Sequence, residues 1–176
     1  MSLDQALIKK ATEFATEYHY GQSRKDAANT PYINHPIDLA KLLTDYAGIT
    51  DTNVIVAALL HDTVEDTSAT VEDIEESFGT KIRNIVMEVT DDKSLPSPER
   101  KRLQIENASK ISYEARLVKL ADKICNLRDI IDRPPVKWSL QRKQEYFDWA
   151  KAVIDQLRGT NEKLETMFDE VYAKKP

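Results

Sequence analysis

The chain has 176 residues, 41% hydrophobic and 31% charged, with a net charge of −5 from 25 basic and 30 acidic residues. That length and balance suit one globular domain, spanning 1–176, with a real core; the acidic excess counts against a general nucleic-acid binder, and no apolar run is long enough to cross a membrane. Cys125 is the single cysteine, so an internal disulfide is excluded; with no signal-peptide layout at the N-terminus, a cytoplasmic protein is expected.

Only 4 glycines and few alternating β-branched runs occur, and helical periodicity runs through almost the whole chain. Leu3 to Tyr20 puts Leu7, Ala11, Phe14, Ala15 and Tyr18 on one face, and 21–31 is a polar loop. Pro36 suits the first turn of a helix that runs to about Tyr46 and is ended by Gly48. Asp51 is a plausible N-cap for the next helix, which reaches His61-Asp62. Thr70 to Phe78 reads as a short helix stopped by Gly79, and Thr80 to Val89 as another with Ile82, Ile85, Val86 and Val89 inward. A polar break with two prolines covers 90–98 before a helix resumes over Glu99 to Asn107. Ala115 to Ile131 is amphipathic, with Leu117, Leu120, Ala121, Ile124, Leu127 and Ile131 as its apolar set. Pro134-Pro135 stops it, and Ser139 to Leu157 and Thr160 to Tyr172 form the last two helices, divided at Gly159. The expected architecture is a compact all-α helical bundle.

Against this background His61-Asp62 stands out. The apolar run Ala57-Ala58-Leu59-Leu60 leads straight into two adjacent metal-ligand types, and Glu65 and Asp66 follow within one turn. An imidazole and a carboxylate at the end of a buried helix are costly unless something binds them. His35, in Tyr32-Ile33-Asn34-His35-Pro36, and Asp122, in an otherwise apolar helical stretch, are suitable partners. The order His, His-Asp, Asp is the ligand pattern of HD-domain metal-dependent phosphohydrolases. Two imidazoles and two carboxylates suit one Mn²⁺, Fe²⁺ or Co²⁺ ion, with Zn²⁺ possible and Ca²⁺ disfavoured. At about 100° per residue, Asp62 and Asp66 lie roughly 40° apart around a continuing helix, as do His61 and Glu65. Glu65 would then accept a proton from the attacking water, and Asp66 would hold that water or stabilise developing charge. Acidic residues near a helix C-terminus oppose its dipole, which favours a chemical role. Asn126 and Asp129 follow Asp122 at i+4 and i+7, and Asn126 carries both a donor and an acceptor suited to a base or ribose edge. His19, at a polar helix end with no partner motif, reads as a surface or satisfied core residue and not a ligand, Cys125 as a small buried apolar residue, and Glu99-Arg100-Lys101-Arg102 as a solvated helix face.

A wider set of motifs joins these ligands. Gly21-Gln22-Ser23-Arg24-Lys25, Thr30-Pro31-Tyr32-Ile33-Asn34-His35-Pro36, His61-Asp62-Thr63-Val64-Glu65-Asp66, and Leu117 to Asp122 with Asn126-Leu127-Arg128 together resemble the hydrolase domain of the RelA/SpoT alarmone family. Val89 to Lys93 and Glu145-Tyr146-Phe147 are most similar to its stand-alone small hydrolases, the metazoan SpoT homologue type. The resemblance implies a (p)ppGpp 3′-pyrophosphohydrolase that uses one Mn²⁺ and gives GDP or GTP and pyrophosphate. It implies His35, His61, Asp62 and Asp122 as metal ligands and Glu65 and Asp66 as the catalytic pair. Arg24 (packing against guanine), Lys25, Asn126, Arg142 and Tyr146 are implied as substrate-binding residues. Ending near Pro176, the chain is expected to degrade alarmone without making it. Two other functions compete: a phosphatase acting on NADPH or another ribose-phosphorylated nucleotide, and a non-catalytic nucleotide-binding module. An intact Glu65-Asp66 pair argues against the second.

Overall fold

The computed structural model describes residues 2–176 and is all-α, with no β-strand among them. Helix α1 (Gln5–Tyr18) is capped by Asp4, which accepts from the Leu7 N–H at 3.0 Å. Helix α2 (Asn34–Lys41) runs on as a π-helical turn over Leu42–Tyr46. Helix α3 (Thr52–Leu60) has Asp51 as its cap, as the sequence predicts. Then come α4 (Thr63–Asp66), α5 (Val71–Phe78), α6 (Thr80–Val89), α7 (Ser97–Asn107), α8 (Tyr113–Asp132), α9 (Leu140–Asp155) and α10 (Glu162–Tyr172). The expected all-α bundle is observed. Thr70 and Asp73 form a reciprocal capping box on α5, and Gly79 stops that helix at φ +85°.

Two helices organise the core. Every residue of α3 from Val54 to Leu60 is buried; a helix apolar on all sides must lie in the interior, and α1, α2, α6 and α8 all pack against it. The long α8 packs in addition on α9 and α10. Phe147 of α9 and Phe168 of α10 are fully buried against the same core. Each large side chain so buried contributes about 1.5–3 kcal/mol. No helix of the described residues is long and apolar enough to cross a membrane.

Several boundaries differ from those expected, each for a local reason. The first helix is shorter than Leu3 to Tyr20, because the Asp4 cap sets its start. Helix α7 begins at Ser97, inside the expected proline-rich break, because Pro98 falls in the first turn, where no N–H is needed. On α8 the buried residue is Ile130, whereas Ile131 is only half-buried. The polar 21–31 segment is tightly closed. Ser23 and Pro31 form an isolated antiparallel bridge, the Arg24 N–H donates to the Thr30 carbonyl at 2.8 Å, and the Tyr32 N–H donates to the Gln22 carbonyl at 2.9 Å. Buried Asp26 braces it by accepting from the Thr30 N–H at 2.9 Å and the Thr30 hydroxyl at 2.5 Å.

Candidate active site

His61 and Asp62 do not continue α3. The helix ends at Leu60, both residues occupy a turn, and Thr63–Asp66 forms a separate single turn. Asp62 takes the N-terminal flank of that turn, with the Asp66 N–H donating to its carbonyl at 2.9 Å. Glu65 and Asp66 therefore do not trail the C-terminus of α3 and do not oppose its dipole as expected; they lie in the first turn of α4. The proximity expected from helical spacing nevertheless holds. Asp62, Glu65 and Asp66 offer oxygens all within 4.8 Å of one another, and His35, His61 and Asp62 offer ligand atoms equally close.

Three elements converge here. Helix α2 brings His35, the α3–α4 turn brings His61 and Asp62, and α8 brings Asp122. His35 Nε2 lies 3.0 Å from Asp122 Oδ1, and His61 Nε2 lies 2.9 Å from Asp62 Oδ2 and 3.6 Å from Asp122 Oδ1. His61 Nδ1 donates to the Ala58 carbonyl at 2.8 Å. A carbonyl can only accept, so this bond puts the proton on Nδ1 and aims the Nε2 lone pair at carboxylate oxygens. Neither His61 Nε2 nor His35 Nδ1 has a hydrogen-bond partner, although both atoms are buried. The His61 Nε2 lone pair, buried and facing carboxylate oxygens, is repelled unless a cation lies between them. Burial opposes charge on His61, but Asp62 and Asp122 outweigh it and raise its pKa well above the usual value. Burial likewise opposes charge on Asp62, and the His61 imidazole more than offsets it. On His35 burial dominates and the pKa falls. The donor set fits a divalent cation.

Glu65 has a different environment. Burial raises its carboxyl from 4.5 to about 7, against the opposing effect of the Asp91 N–H, which donates to Oε1 at 2.6 Å; Asp62, Asp91 and Asp66 add repulsion. Asp66 accepts from Lys93 Nζ at 2.6 Å, and the same ammonium lies at a longer 3.9 Å from Glu65 Oε2. Adjacent carboxylates are thus differentiated, one poised to exchange a proton near neutrality and one paired with a cation.

A row of rings supports the site. His19 packs on Tyr32 at 4.7 Å between centroids, Tyr32 on His35 at 5.9 Å, and His35 on His61 at 5.2 Å. The Tyr32 hydroxyl donates to Asp62 Oδ2. His19 is not among the ligand donors, as expected of a surface or satisfied core histidine: it is buried, and its Nδ1 meets Gln22 Oε1 at 2.8 Å. Sequence reading missed Tyr32 and His19 as site supports; the signal was an aromatic three residues before His35.

Two cavities flank the metal-type cluster. The larger, about 620 Å³, is lined by Arg24, Lys25, Asn126, Trp138 and Tyr146 among others. The smaller, about 240 Å³, includes His35, His61, Asp62, Glu65 and Asp122 and extends to α7. Tyr32, Asp66, Asn126 and Tyr146 line both. Arg24 is held by Asp129 Oδ2 at 2.8 and 3.1 Å and by Asn126 Oδ1 at 2.9 Å, with its guanidinium 5.5 Å from the Tyr32 ring centre. Asn126 donates in turn to Asp122 Oδ1 at 2.8 Å. The expected stripe Asp122-Asn126-Asp129 is thus a chain of hydrogen bonds that ties Arg24 to the cluster. Lys25 is exposed at the rim, its carbonyl accepting from the Val136 N–H at 2.9 Å. Arg142 lies outside both cavities, 4.4 Å from the Trp138 ring centre in a neighbouring cleft. Cys125 is buried as expected, and burial pushes its thiol pKa up.

A family model described as an HD domain matches residues 11–148. The chain belongs to the HD-domain family. It is 58% identical over 172 residues to the Xenopus tropicalis guanosine-3′,5′-bis(diphosphate) 3′-pyrophosphohydrolase MESH1, covering 98% of this chain and 96% of that one. Identity to the Homo sapiens protein of the same name is 51% over 175 residues, covering 99% and 98%. A solved structure described as a metazoan ortholog of SpoT that hydrolyzes ppGpp matches with a TM-score of 0.95 and 49% identity, over 99% of this chain and 98% of that one. The resemblance to the stand-alone RelA/SpoT hydrolases is borne out. An HD domain implies divalent-metal binding, and a His/Asp cluster able to hold an ion is present here.

Proposed function

We propose that this chain is a Mn²⁺-dependent (p)ppGpp 3′-pyrophosphohydrolase acting in the cytoplasm. The observation that carries the reading is the juxtaposition of a buried His/Asp cluster with a carboxyl poised near neutrality, at the seam of two cavities. His35, His61, Asp62 and Asp122 would hold the ion. When bound, a divalent ion supplies Lewis acidity and makes hydroxide available near neutral pH. Glu65 receives the proton of the attacking water at Oε2, since Oε1 is engaged by the Asp91 N–H. A group with a pKa near 7 is suited to take a proton and give it up again within one turnover. Asp66, neutralised through Oδ1 by Lys93, orients the water with its other oxygen. Arg24, fixed in place by Asn126 and Asp129, stacks on the guanine, while Lys25 and Tyr146 close the nucleoside side of the larger cavity. Tyr32 holds Asp62 in orientation, a support of the kind that typically tunes metal affinity.

The test is pyrophosphate release from ppGpp by metal-stripped protein, with and without Mn²⁺, and NADPH in a parallel assay for phosphate. Mn²⁺-dependent pyrophosphate release is expected. Silence with ppGpp while NADPH is dephosphorylated would reassign the site to ribose monophosphates. Silence with both substrates in folded, metal-loaded protein would leave a binding role.

A further inference from the structure

The smaller cavity has an inner wall that the reaction centre leaves unexplained. Beyond Glu65 and Asp122 it is lined by Arg100, Lys101 and Gln104 of α7 and by Lys119 and Lys123 of α8. Arg100 and Gln104 are i and i+4 on one helix, as are Lys119 and Lys123 on the other, so each pair shares a face. These basic residues are not a solvated surface. Lys119 is 7% exposed and Lys123 4%, and Arg100 and Lys101 are half-buried. The expected solvated face of α7 divides in two. Arg102 turns outward and takes both Glu99 and Glu106 as ion-pair partners, which leaves no acid on that helix for Arg100 or Lys101.

Among the described residues, Arg100, Lys101 and Lys119 make no ion pair. Arg100 Nε is buried with no hydrogen-bond partner at all. Lys101 has only the Trp149 ring face, 5.3 Å from its Nζ. Lys119 Nζ reaches only Gln104 Oε1, at 3.3 Å, and burial together with Lys123 lowers its pKa to about 8. Lys123 differs: it pairs with Asp122 Oδ2 at 2.9 Å and is committed to the metal-type cluster. The acids facing this cavity are Asp62, Glu65, Asp66, Asp91 and Asp122. Four of them are engaged in the cluster and its water-activating pair, and Asp91 is bonded through Oδ2 to Gln104. Buried cations with no partner are expensive and are kept where an anion completes them.

We propose that Arg100, Lys101 and Lys119 form a subsite for the distal phosphate of a ribose-linked diphosphate, on the far side of the reaction centre from the nucleoside cavity. This rests on the hydrolase reading above. Hydrolysis that yields pyrophosphate joins the water oxygen to the phosphorus next to the ribose. The ribose oxygen leaves with the bonding pair and takes up a proton. Both phosphorus atoms depart together, so the second phosphate must be accommodated beyond the first. A cavity of about 240 Å³ with unpaired cations on that side meets this need. A ribose monophosphate would leave the wall unfilled, so the same residues set a preference for diphosphate over monophosphate.

The experiment is calorimetric titration of inorganic pyrophosphate and inorganic phosphate into metal-loaded full-length protein. Wild type is compared with Arg100→Ala, Lys119→Met and the outward-facing control Arg102→Ala. Chelation of the ion by the anion is common to all four, so differences between variants report the cavity wall. The expected result is pyrophosphate bound about tenfold or more tighter than phosphate, a margin of about 1.4 kcal/mol. That margin shrinks in Arg100→Ala and Lys119→Met and survives in Arg102→Ala. Equal affinity for the two anions in wild type, or an unchanged margin in both inner-wall variants, would overturn the proposal. Arg100 is half-buried, so its variant decides the matter if Lys119→Met does not fold. If ppGpp is not turned over while pyrophosphate binds through this wall, the hydrolase reading fails and the anion subsite stands.

Discussion

Replacing Glu65 with glutamine isolates the free energy of burying its charge. In the folded chain the carboxyl is raised from 4.5 to about 7, chiefly by burial, and that shift corresponds to about 3 kcal/mol. Below about pH 4.5 folded and unfolded chains both carry the proton, and the group contributes no pH dependence. Between the two values the unfolded chain releases the proton while the folded chain keeps it, so stability falls as pH rises. Above about pH 7 both states are ionised and the cost is fully present. Glutamine keeps an acceptor for the Asp91 N–H and never ionises. In metal-free protein, the stability of Glu65→Gln relative to wild type should therefore increase by about 2.5 kcal/mol between about pH 5 and about pH 8. Urea unfolding in chelator at the two pH values measures it. A difference between the two proteins that is the same at both pH values would refute the argument that burial perturbs Glu65. With metal restored, the same variant should lose about two orders of magnitude or more in turnover, as expected for loss of a proton acceptor.

Three other perturbations separate the parts of the site from the core. His35→Ala and Asp122→Ala should each lose bound metal together with activity, and elemental analysis after dialysis checks this; stoichiometric metal in both would remove them from the ligand set. Asp129→Asn should release Arg24 and raise KM for the nucleotide about tenfold with kcat within about twofold, since it disturbs binding and not the reacting groups. An unchanged KM would show that Arg24 needs no such anchor. Phe147→Ala, at a fully buried position, should cost about 3–5 kcal/mol of unfolding free energy in denaturant.

Much of this molecule is legible in its sequence because the signals are local. Periodicity, Asp51 as a cap and Gly79 as a stop depend on residues within a turn or two of each other, and these appear where expected. The cluster His35, His61, Asp62 and Asp122 was readable from residue type and order, and the chain does bring those side chains within a few ångströms. What the sequence could not contain is direction. Whether α3 continued past Leu60 was decided by the turn that lets His61 cap back onto Ala58 and aim Nε2 at the carboxylates. Whether Arg100 faced water or the cavity depended on Arg102 consuming the acids of α7 on its outer side, and on where α8 lay relative to α7. His19 and Tyr32 became site supports only because the end of α1 and the closed 21–31 loop stack His19 on Tyr32 and Tyr32 on His35. Composition and spacing determined which chemistry this chain carries. Packing of helices distant in sequence decided which charges are desolvated, and desolvation is what raises the Glu65 carboxyl and separates Lys119 from an ordinary surface lysine.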